Sequence, residues 1–537
     1  MVDIPAPVRE ILEILETAGH RAWCVGGCVR DALLGRPPED WDVTTAARPE
    51  ETMALFGDRA VPTGLRHGTV TVRTAAGGVE VTTLRRDGTY RDHRRPESVE
   101  FTDSLEEDLR RRDFTVNAMA MDLAGDLHDP LGGRADLAAG ILRCVGDPDR
   151  RFDEDALRIL RGLRFTAQLG LAVDPDTAAA IHRNRALLGD IAPERIWTEL
   201  KKLAAGDRAA EVLRAYPDVI GVFWPEVLPM VGFEQRNRHH CYDVWEHTLH
   251  ALAAVRPETE LRLTLLLHDI GKPNCFTADE KGQGHFYGHP AESARLAGEM
   301  LSRLRADSAT RETVIRLVAW HDKNIPRTRP GVAHALAALG EQDLRRLLAV
   351  KRADNLAQAP DYRFMQGEID KAEAILDQLR AEREVRGYYR NLVVAATGTG
   401  KTVIAALDYR GWRKAHPQAR NRLLFIAHRE EILKQSLATY QGVLKDANFG
   451  ELWVGSHQAE NLDYLFISVQ TLNSQALWKR LPADYYDYIV IDETHHAAAD
   501  SYAEALEAFK PQVLLGLTAT PERMDGKSIL RFFDYRI

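Results

Sequence analysis

The stretch that most constrains this chain is Val25-Gly26-Gly27-Cys28-Val29-Arg30-Asp31, followed shortly by Asp40-Trp41-Asp42-Val43. A glycine pair opens a helix, and two carboxylates stand one residue apart on what reads as a strand. Side chains alternate across a strand, so Asp40 and Asp42 share a face while Trp41 points the other way. Two carboxylates on one face, beside a loop whose amides can approach phosphate, suit a pair of Mg²⁺ ions and a triphosphate. An isolated D-x-D is more often a solvated pair in a turn; the glycine-bearing segment upstream reverses that weighting. Arg30 then reads as a triphosphate contact with Asp31 orienting it, against a surface ion pair of little energetic value.

A chain of 537 residues is too long for one core, and two to four domains are expected. With 45% apolar and 28% charged residues it has the balance of a globular protein. The net charge of −9 gives no global case for nucleic-acid binding, so any RNA contact must come from a local patch. Arg143, Arg150, Arg151, Arg158, Arg161 and Arg164 supply one. The five scattered cysteines form no C-x-x-C pair and read as reduced thiols. No export signal or membrane span is expected, which points to the cytoplasm.

Residues 7–18 carry apolar side chains at helical spacing, and Arg21 to Val25 reads as a strand. Gly68-Thr-Val-Thr-Val-Arg and Val79-Glu-Val-Thr-Thr-Leu alternate as adjoining strands. That places Glu80 on a neighbouring strand, as a surface residue or as a third carboxylate. Arg111-Arg112-Asp113-Phe114-Thr115-Val116-Asn117 follows, with Phe114 and Val116 as core residues. In Phe152-Asp153-Glu154-Asp155-Ala-Leu-Arg158-Ile-Leu-Arg161 the apolar positions predict one helix, with Asp155 and Arg158 at i and i+3 on a shared face.

Together these segments resemble the head domain of class II tRNA nucleotidyltransferases, the CCA-adding enzymes and bacterial poly(A) polymerases. The resemblance implies two-metal nucleotidyl transfer, in which a 3′-hydroxyl attacks the α-phosphate and pyrophosphate leaves. Asp40, Asp42 and Glu80 would be catalytic, with Mg²⁺ on Asp40 and Asp42. Gly26, Gly27, Arg30, Asp31, Arg112, Asp113, Asn117 and Arg161 would bind nucleotide, with Arg112, Asp113 and Asn117 facing the ribose. Asp155 and Arg158 would act as a protein template for the Watson–Crick edge of CTP or ATP. The implied partners are the tRNA 3′ end, CTP and ATP; CCA and poly(A) addition both remain open, as does oligomeric state.

Further on come His247, His268-Asp269, His289, His321 and Asp354. A lone histidine on an apolar helix is usually a core residue, but a His-Asp doublet ending an apolar run is sharper. This set resembles the HD metal-dependent phosphohydrolases. It implies His247, His268, Asp269 and Asp354 as ligands of one divalent metal, with His289 and His321 as further ligands or phosphate contacts. Mixed N/O ligation leaves Mn²⁺, Ni²⁺, Zn²⁺, Fe²⁺ and Mg²⁺ open.

After a charged amphipathic helix at 364–386, the vocabulary changes. Asn391-Leu-Val-Val-Ala-Ala-Thr-Gly398-Thr-Gly400-Lys401-Thr402 has the strand, loop and helix start of a P-loop. Ala427-His-Arg-Glu, Asp492-Glu493-Thr-His and Thr518-Ala-Thr follow in order. The four segments resemble the first RecA-like domain of a superfamily 2 DEAD/DEAH-type helicase, with Gly398, Gly400, Lys401 and Thr402 on ATP, Asp492 toward Mg²⁺ and Glu493 on the water. Because the sequence ends soon after Thr520, weak nucleotide binding and negligible ATPase are expected, and a natural fusion, a truncation and an assembly artefact are all compatible with the join.

The expected architecture is multidomain: an α+β nucleotidyltransferase head (1–145), an all-α base-selecting neck (146–225), an all-α HD domain (226–365), a linker helix (366–390) and an α/β RecA-like P-loop domain (391–537).

Overall fold

The computed structural model describes residues 4–537 except 76, 89–98, 387–388, 395–399, 456, 493–499, 520–532, 534 and 537. The chain forms two compact units, Met1–Lys323 with Ala349–Met365, and Asn324–Leu348 with Gln366–Ile537.

The first unit begins with the helix Ala6–Thr17, which buries Val8, Ile11, Leu12 and Leu15 on its apolar stripe. That stripe shares a core with Cys24, Val43 and Val81 of a mixed sheet. The sheet comprises β1 (Ala22–Val25), β2 (Asp42–Thr45), β3 (Ala60–Gly64), β4 (Thr69–Thr74) and β5 (Gly77–Thr83), while β6 (Arg85–Asp87) and β7 (Val99–Phe101) make a separate ladder. With β8 (Ala120–Met121) and β9 (Leu127–His128), the seven-stranded order is β3-β4-β5-β2-β1-β8-β9. β2 runs antiparallel to β1 and parallel to β5, a register that sets Asp42 beside Glu80.

Two local expectations are corrected. β2 begins at Asp42, so Asp40 and Trp41 precede the strand instead of lying in it. Pro37 and Pro38 just upstream have no N–H to give a ladder, which keeps this approach irregular. The single helix expected through 152–165 is two helices, Pro148–Glu154 and Leu157–Leu169, with Asp155 between them in extended conformation. Asp155 Oδ1 accepts the Leu157 amide at 3.2 Å, so this aspartate caps a new helix where periodicity alone continues the old one.

Beyond that break, β10 (Ile141–Leu142) pairs in parallel with β11 (Ala172–Val173), and the helix Pro193–Ala204 packs on Leu157–Leu169, burying Leu160, Leu163, Trp197 and Leu200. The remainder of the unit is built mainly of the helices Val244–Ala253, Thr259–Leu267, His289–Arg303 and Ser308–Trp320. One hairpin interrupts the expected all-helical pattern: β12 (Thr277–Ala278) antiparallel to β13 (Gly284–His285).

The second unit holds a seven-stranded sheet in which every pairing is parallel. Its strands are β14 (Tyr389–Val394), β15 (Leu423–Ala427), β16 (Glu451–Trp453), β17 (Tyr464–Ser468), β18 (Tyr488–Ile491), β19 (Val513–Thr518) and β20 (Tyr535–Arg536), ordered β16-β17-β15-β18-β19-β14-β20. Every residue of β15, β18 and β19 is buried, as expected for parallel strands covered on both faces. Phe425, Phe466 and Tyr488 pack with Tyr409 and Tyr440 in one core, while Leu424, Ile426 and Ile489 enter another. The charged segment before the sheet forms the helix Gln366–Arg386. Among the described residues no helix is long and apolar enough to cross a membrane.

A run of polar contacts ties the head to the neck inside the first unit. Arg30 donates to both carboxylate oxygens of Asp31 (2.9 and 2.9 Å) and through Nη1 to Asn117 Oδ1 (2.6 Å). Asn117 Nδ2 donates to Asp113 Oδ1 (3.2 Å), and Asp113 Oδ2 accepts from Arg161 Nε and Nη2 (2.8 and 2.6 Å). Burial opposes charge on Asp113, but Arg161 and Asn117 outweigh it and hold its carboxyl down at about 2. A folded-state value below the unfolded one, roughly 3.9, adds stability above that pH, and the contribution is lost as pH falls from there through about 2. Asp113→Ala leaves Asn117 and Arg161 short of their acceptor; we expect a loss of about 1.5–3 kcal/mol in denaturant unfolding at pH 7. The difference from wild type should vanish toward pH 2, and an equal difference at both pH values would refute the assignment.

Candidate functional site

β2, the helix Gly27–Leu33 and the two neck helices surround a cavity of about 1010 Å³. Gly26, Gly27, Arg30, Asp31, Asp40, Asp42, Arg112, Asp113, Asn117, Asp155, Arg158 and Arg161 all line it, so residues far apart in sequence meet at one place. Glu80 stands outside the lining but next to Asp42 across the β2–β5 ladder. Partial desolvation first, then Glu80 and Asp40, raise the Asp42 carboxyl above its usual range, with Arg112 opposing. Crowded carboxylates of this kind fit a hard divalent cation, whose charge would relieve the repulsion. Gly26 is required on two grounds: its φ is +84°, and a Cβ there would lie 2.9 Å from Arg112 Nη1.

Several contacts at or beside the cavity were not foreseen. Asp108 is fully buried and pairs with Arg111 (2.9 Å) and Arg112 (3.5 Å), holding both guanidiniums at the cavity wall. Its i+3 and i+4 spacing to the two arginines was readable in the sequence. Arg164 lies over the Phe165 ring at 4.1 Å and meets Glu199 at 2.8 Å. Arg195, from the helix Pro193–Ala204, donates to Asp155 Oδ2 at 3.2 Å; no local spacing signals that pair. Arg158 is anchored to Glu154 (2.8 Å) and to the carbonyls of Arg151 and Arg111 (both 3.0 Å). Asp155 thus reaches the cavity from the break between the helices and Arg158 from the helix that follows it.

The histidine–aspartate set converges in a second cavity, of about 380 Å³. His247 approaches Asp354 (2.8 Å) and Asp269 (3.5 Å), and His268 approaches Asp269 (3.2 Å) and Asp354 (3.6 Å), each through Nε2. His289 and His321 approach the other oxygen of Asp269, at 3.4 and 3.8 Å, and their Nε2 atoms are 3.1 Å apart. Asp269 therefore divides its two oxygens between two groups of ligand atoms, His247/His268/Asp354 and His289/His321. All four imidazoles place Nδ1 against a backbone carbonyl: Ala357 (3.3 Å), Leu265 (2.6 Å), Phe286 (2.9 Å) and Val318 (2.7 Å) respectively. Nδ1–H is thereby the donor to each carbonyl, and all four Nε2 atoms are turned toward the two carboxylates and one another, the orientation of metal-ligating histidines. His268 Nε2 is buried and makes no well-aligned hydrogen bond, and a divalent cation between it and the two carboxylates would satisfy it. Burial disfavours charge on His268, yet Asp269 and Asp354 push it up to about 10, a measure of the negative field there. Lys272 Nζ, 2.7 Å from Asp269, is the nearby counter-charge.

In the second unit Gly400 (φ +81°) caps the helix Lys401–Ala415, which also contains Thr402. Asp492 follows β18 and is buried. Lys401 and Asp492 come after the carboxyl ends of two strands that flank β19 in parallel, and so lie at the same edge of the sheet. Gly398 and Glu493 lie outside the described residues.

Comparison with known proteins follows this division. Residues 22–143 match the family model of the Poly A polymerase head domain, 170–216 the probable RNA and SrmB-binding site of polymerase A, 238–359 the HD domain and 364–523 the res subunit of type III restriction enzymes. The CCA-adding enzyme of Geobacillus thermodenitrificans is 51% identical over 203 residues, 38% of this chain and 50% of that protein. That of Geobacillus stearothermophilus is 50% identical over the same length. The chain spans about half the length of the curated relatives it matches. A crystal structure of the Bacillus stearothermophilus CCA-adding enzyme in complex with CTP superposes with a TM-score of 0.53 at 27% identity, covering 82% of this chain and 94% of that one. In sequence and in fold the chain is similar to the CCA-adding enzymes, carrying a nucleotidyltransferase head and an HD domain ahead of a helicase-like segment.

Proposed function

We propose that the first cavity transfers nucleotides from CTP and ATP to the 3′ end of tRNA, building CCA. The observation that carries the reading is the meeting of Asp40, Asp42 and the adjacent Glu80 with Arg30, Arg112 and Arg161 in one cavity. Asp40 and Asp42 would hold Mg²⁺, with Glu80 beside them, and the bound cation supplies charge neutralisation for the attacking hydroxyl and the leaving pyrophosphate. Arg30 and Arg112, oriented by Asp31 and Asp108, present guanidiniums to the triphosphate, while Asp113 and Asn117 keep Arg161 and Arg30 in place on the ribose side. Asp155 and Arg158 face the base edge: cytosine and adenine both offer an amine donor beside a ring-nitrogen acceptor, whereas uracil and guanine offer the reverse. The CTP bound to the similar crystal structure supports this assignment. Poly(A) synthesis is the second reading, favoured by the match of residues 22–143 to the Poly A polymerase head.

The HD cavity is read as an accessory phosphohydrolase site, with His247, His268, Asp269 and Asp354 holding a divalent metal and His289 and His321 completing the cluster. A bound metal there supplies an activated water and a phosphate anchor. The C-terminal unit is read as a RecA-like nucleotide-binding domain with Gly400, Lys401, Thr402 and Asp492 at its phosphate edge, on the layout of its parallel sheet. An ATP-dependent helicase is the reading of a different class, which the similarity of residues 364–523 favours for that unit alone.

The deciding assay supplies tRNA lacking its 3′ CCA with labelled CTP and ATP, separately and together. CCA synthesis requires ordered incorporation of both; ATP-only polymerisation would assign the poly(A) reading, and no incorporation would sink both. Asp40→Ala and Asp42→Ala should each lower incorporation by about 10³-fold or more, the scale expected when a phosphoryl-transfer centre loses its metal or its key charge. Asp269→Ala should leave incorporation intact while abolishing metal-dependent phosphate release; retained release would refute the hydrolytic site.

A further inference from the structure

The carboxylate row of the head continues across the sheet as a row of hydroxyls. Asp42 on β2 stands in register with Glu80 on β5, and Glu80 with Thr71 on β4. The Thr71 hydroxyl meets that of Thr63 on β3 at 2.8 Å. Two residues along, Thr44, Thr82 and Thr69 make the next row. There the Thr69 and Thr82 hydroxyls are 3.1 Å apart, and Thr44 Oγ1 donates to Thr82 O at 3.2 Å. Neighbouring strands lie about 4.8 Å apart, so this face reaches roughly 14 Å from Asp42 to β3. Val43, Val70, Val72 and Val81 alternate with these residues and are buried, which leaves the threonines on the outer face. Thr63 and Glu80 are exposed, and Thr69, Thr71 and Thr82 are half-buried.

The face is low as well as open. Glycine stands opposite Thr69 at position 64 and beside Thr71 at position 78, where a Cβ would lie 2.8 Å from Thr71 Cγ2. Arg73, the long side chain in the row beyond Thr71, is turned aside to Asp58 O (2.5 Å). Arg66, exposed on the turn after Gly64, adds a cation at the border. Strand propensity accounts for a threonine at any one of these sites; it does not account for a clear run of hydroxyls and glycines from Glu80 to β3. The cavity of about 1010 Å³ is lined by Asp40 and Asp42, but neither Glu80 nor these threonines belong to its wall. The two aspartates thus stand at a boundary, with the enclosed cavity on one side and the threonine face on the other.

We propose that the threonine face is the track on which the acceptor RNA lays its single-stranded 3′ end, with Thr71 and Thr82 as positioning residues for the terminal sugar and phosphate. This rests on the nucleotidyl-transfer reading of the neighbouring cavity and adds how its second substrate is held. In-line transfer sets the entering and leaving oxygens on opposite sides of phosphorus. With the leaving pyrophosphate held inside the cavity by Arg30 and Arg112, the entering hydroxyl arrives from outside it, and the threonine face borders the aspartates there. A hydroxyl both donates and accepts, so it can serve a phosphate oxygen or a ribose 2′-hydroxyl equally. The glycines let a sugar–phosphate backbone come close to the sheet. Nothing on this face reads a base edge, so the track should hold RNA ends irrespective of their terminal base.

The test gives the full chain Mg²⁺, CTP and tRNA lacking its 3′ CCA, and measures KM for each substrate. Thr71→Val and Thr82→Val remove the hydroxyls while keeping the β-branched shape that strands favour. Combined, they should raise KM for tRNA about tenfold, the scale of one or two lost hydrogen bonds, with kcat and KM for CTP within about twofold of wild type. Thr71→Ser with Thr82→Ser keeps both hydroxyls and should restore the wild-type KM for tRNA. An unchanged KM for tRNA, equal rises for tRNA and CTP, or serine variants as poor as the valine ones would each overturn the track. If wild type transfers no nucleotide, the transfer reading fails by itself, and crosslinking of RNA bearing 4-thiouridine at its 3′ end decides the track separately. Label on tryptic peptides 67–73 or 74–85 supports it; label confined to other peptides, or none, overturns it.

Discussion

The head and neck depend on one arrangement of charge: guanidiniums held in position by buried or half-buried acceptors. Asp113, with Asn117, fixes Arg30 and Arg161; Asp108 fixes Arg111 and Arg112; Asp31 fixes the outer edge of Arg30. Each acceptor belongs to the protein, so the arginines are oriented before a substrate enters, and little reorganisation is needed when negative charge arrives. The opposite sign is concentrated where Asp40 and Asp42 line the cavity, with Glu80 beside Asp42 on the next strand. The proposed transfer reaction would set a polyphosphate and its cation between these two layers, each opposite its complement.

The HD cluster uses the same physics with the signs rearranged. A buried carboxylate, Asp269, and a half-buried one, Asp354, stand among four imidazoles whose Nδ1 atoms donate to backbone carbonyls. In the head, rigidity comes from side-chain ion pairs; in the cluster it comes from helix geometry, because His268 and His321 each bond the carbonyl three residues back. The two sites can therefore be disabled separately, which is what makes the paired substitutions informative.

Much of this was legible in the sequence where chemistry and local spacing coincide. The Gly26-Gly27 helix start and the placement of Glu80 on a strand neighbouring Asp42 follow from local pattern, while the grouping of the histidines came from the resemblance that their His-Asp doublet carries. Legibility failed where a polar side chain competes with the backbone or where partners are distant. Asp155 ended a helix that apolar periodicity continues, because a capping carboxylate outweighs one more helical turn. Two prolines displaced Asp40 from the strand that its D-x-D spacing suggested. Arg195 reaches Asp155 only through packing of the helix Pro193–Ala204 on Leu157–Leu169, which one sequence cannot announce. The β12–β13 hairpin was missed because strands of two residues leave no period to detect.

The parallel sheet of the second unit has a consequence for the order in which it can form. Among the described residues β14, which precedes the Lys401 helix, pairs with β19 and β20, so Tyr389 must wait for Val513 before its ladder exists. During synthesis β15, β17 and β18 can already associate, while β14 has no neighbour and its apolar residues Leu392 and Val393 no cover. Closing so long a loop carries a large entropic cost before any contact rewards it. Of the described strands, β14 and its partners β19 and β20 are thus the last to join the sheet.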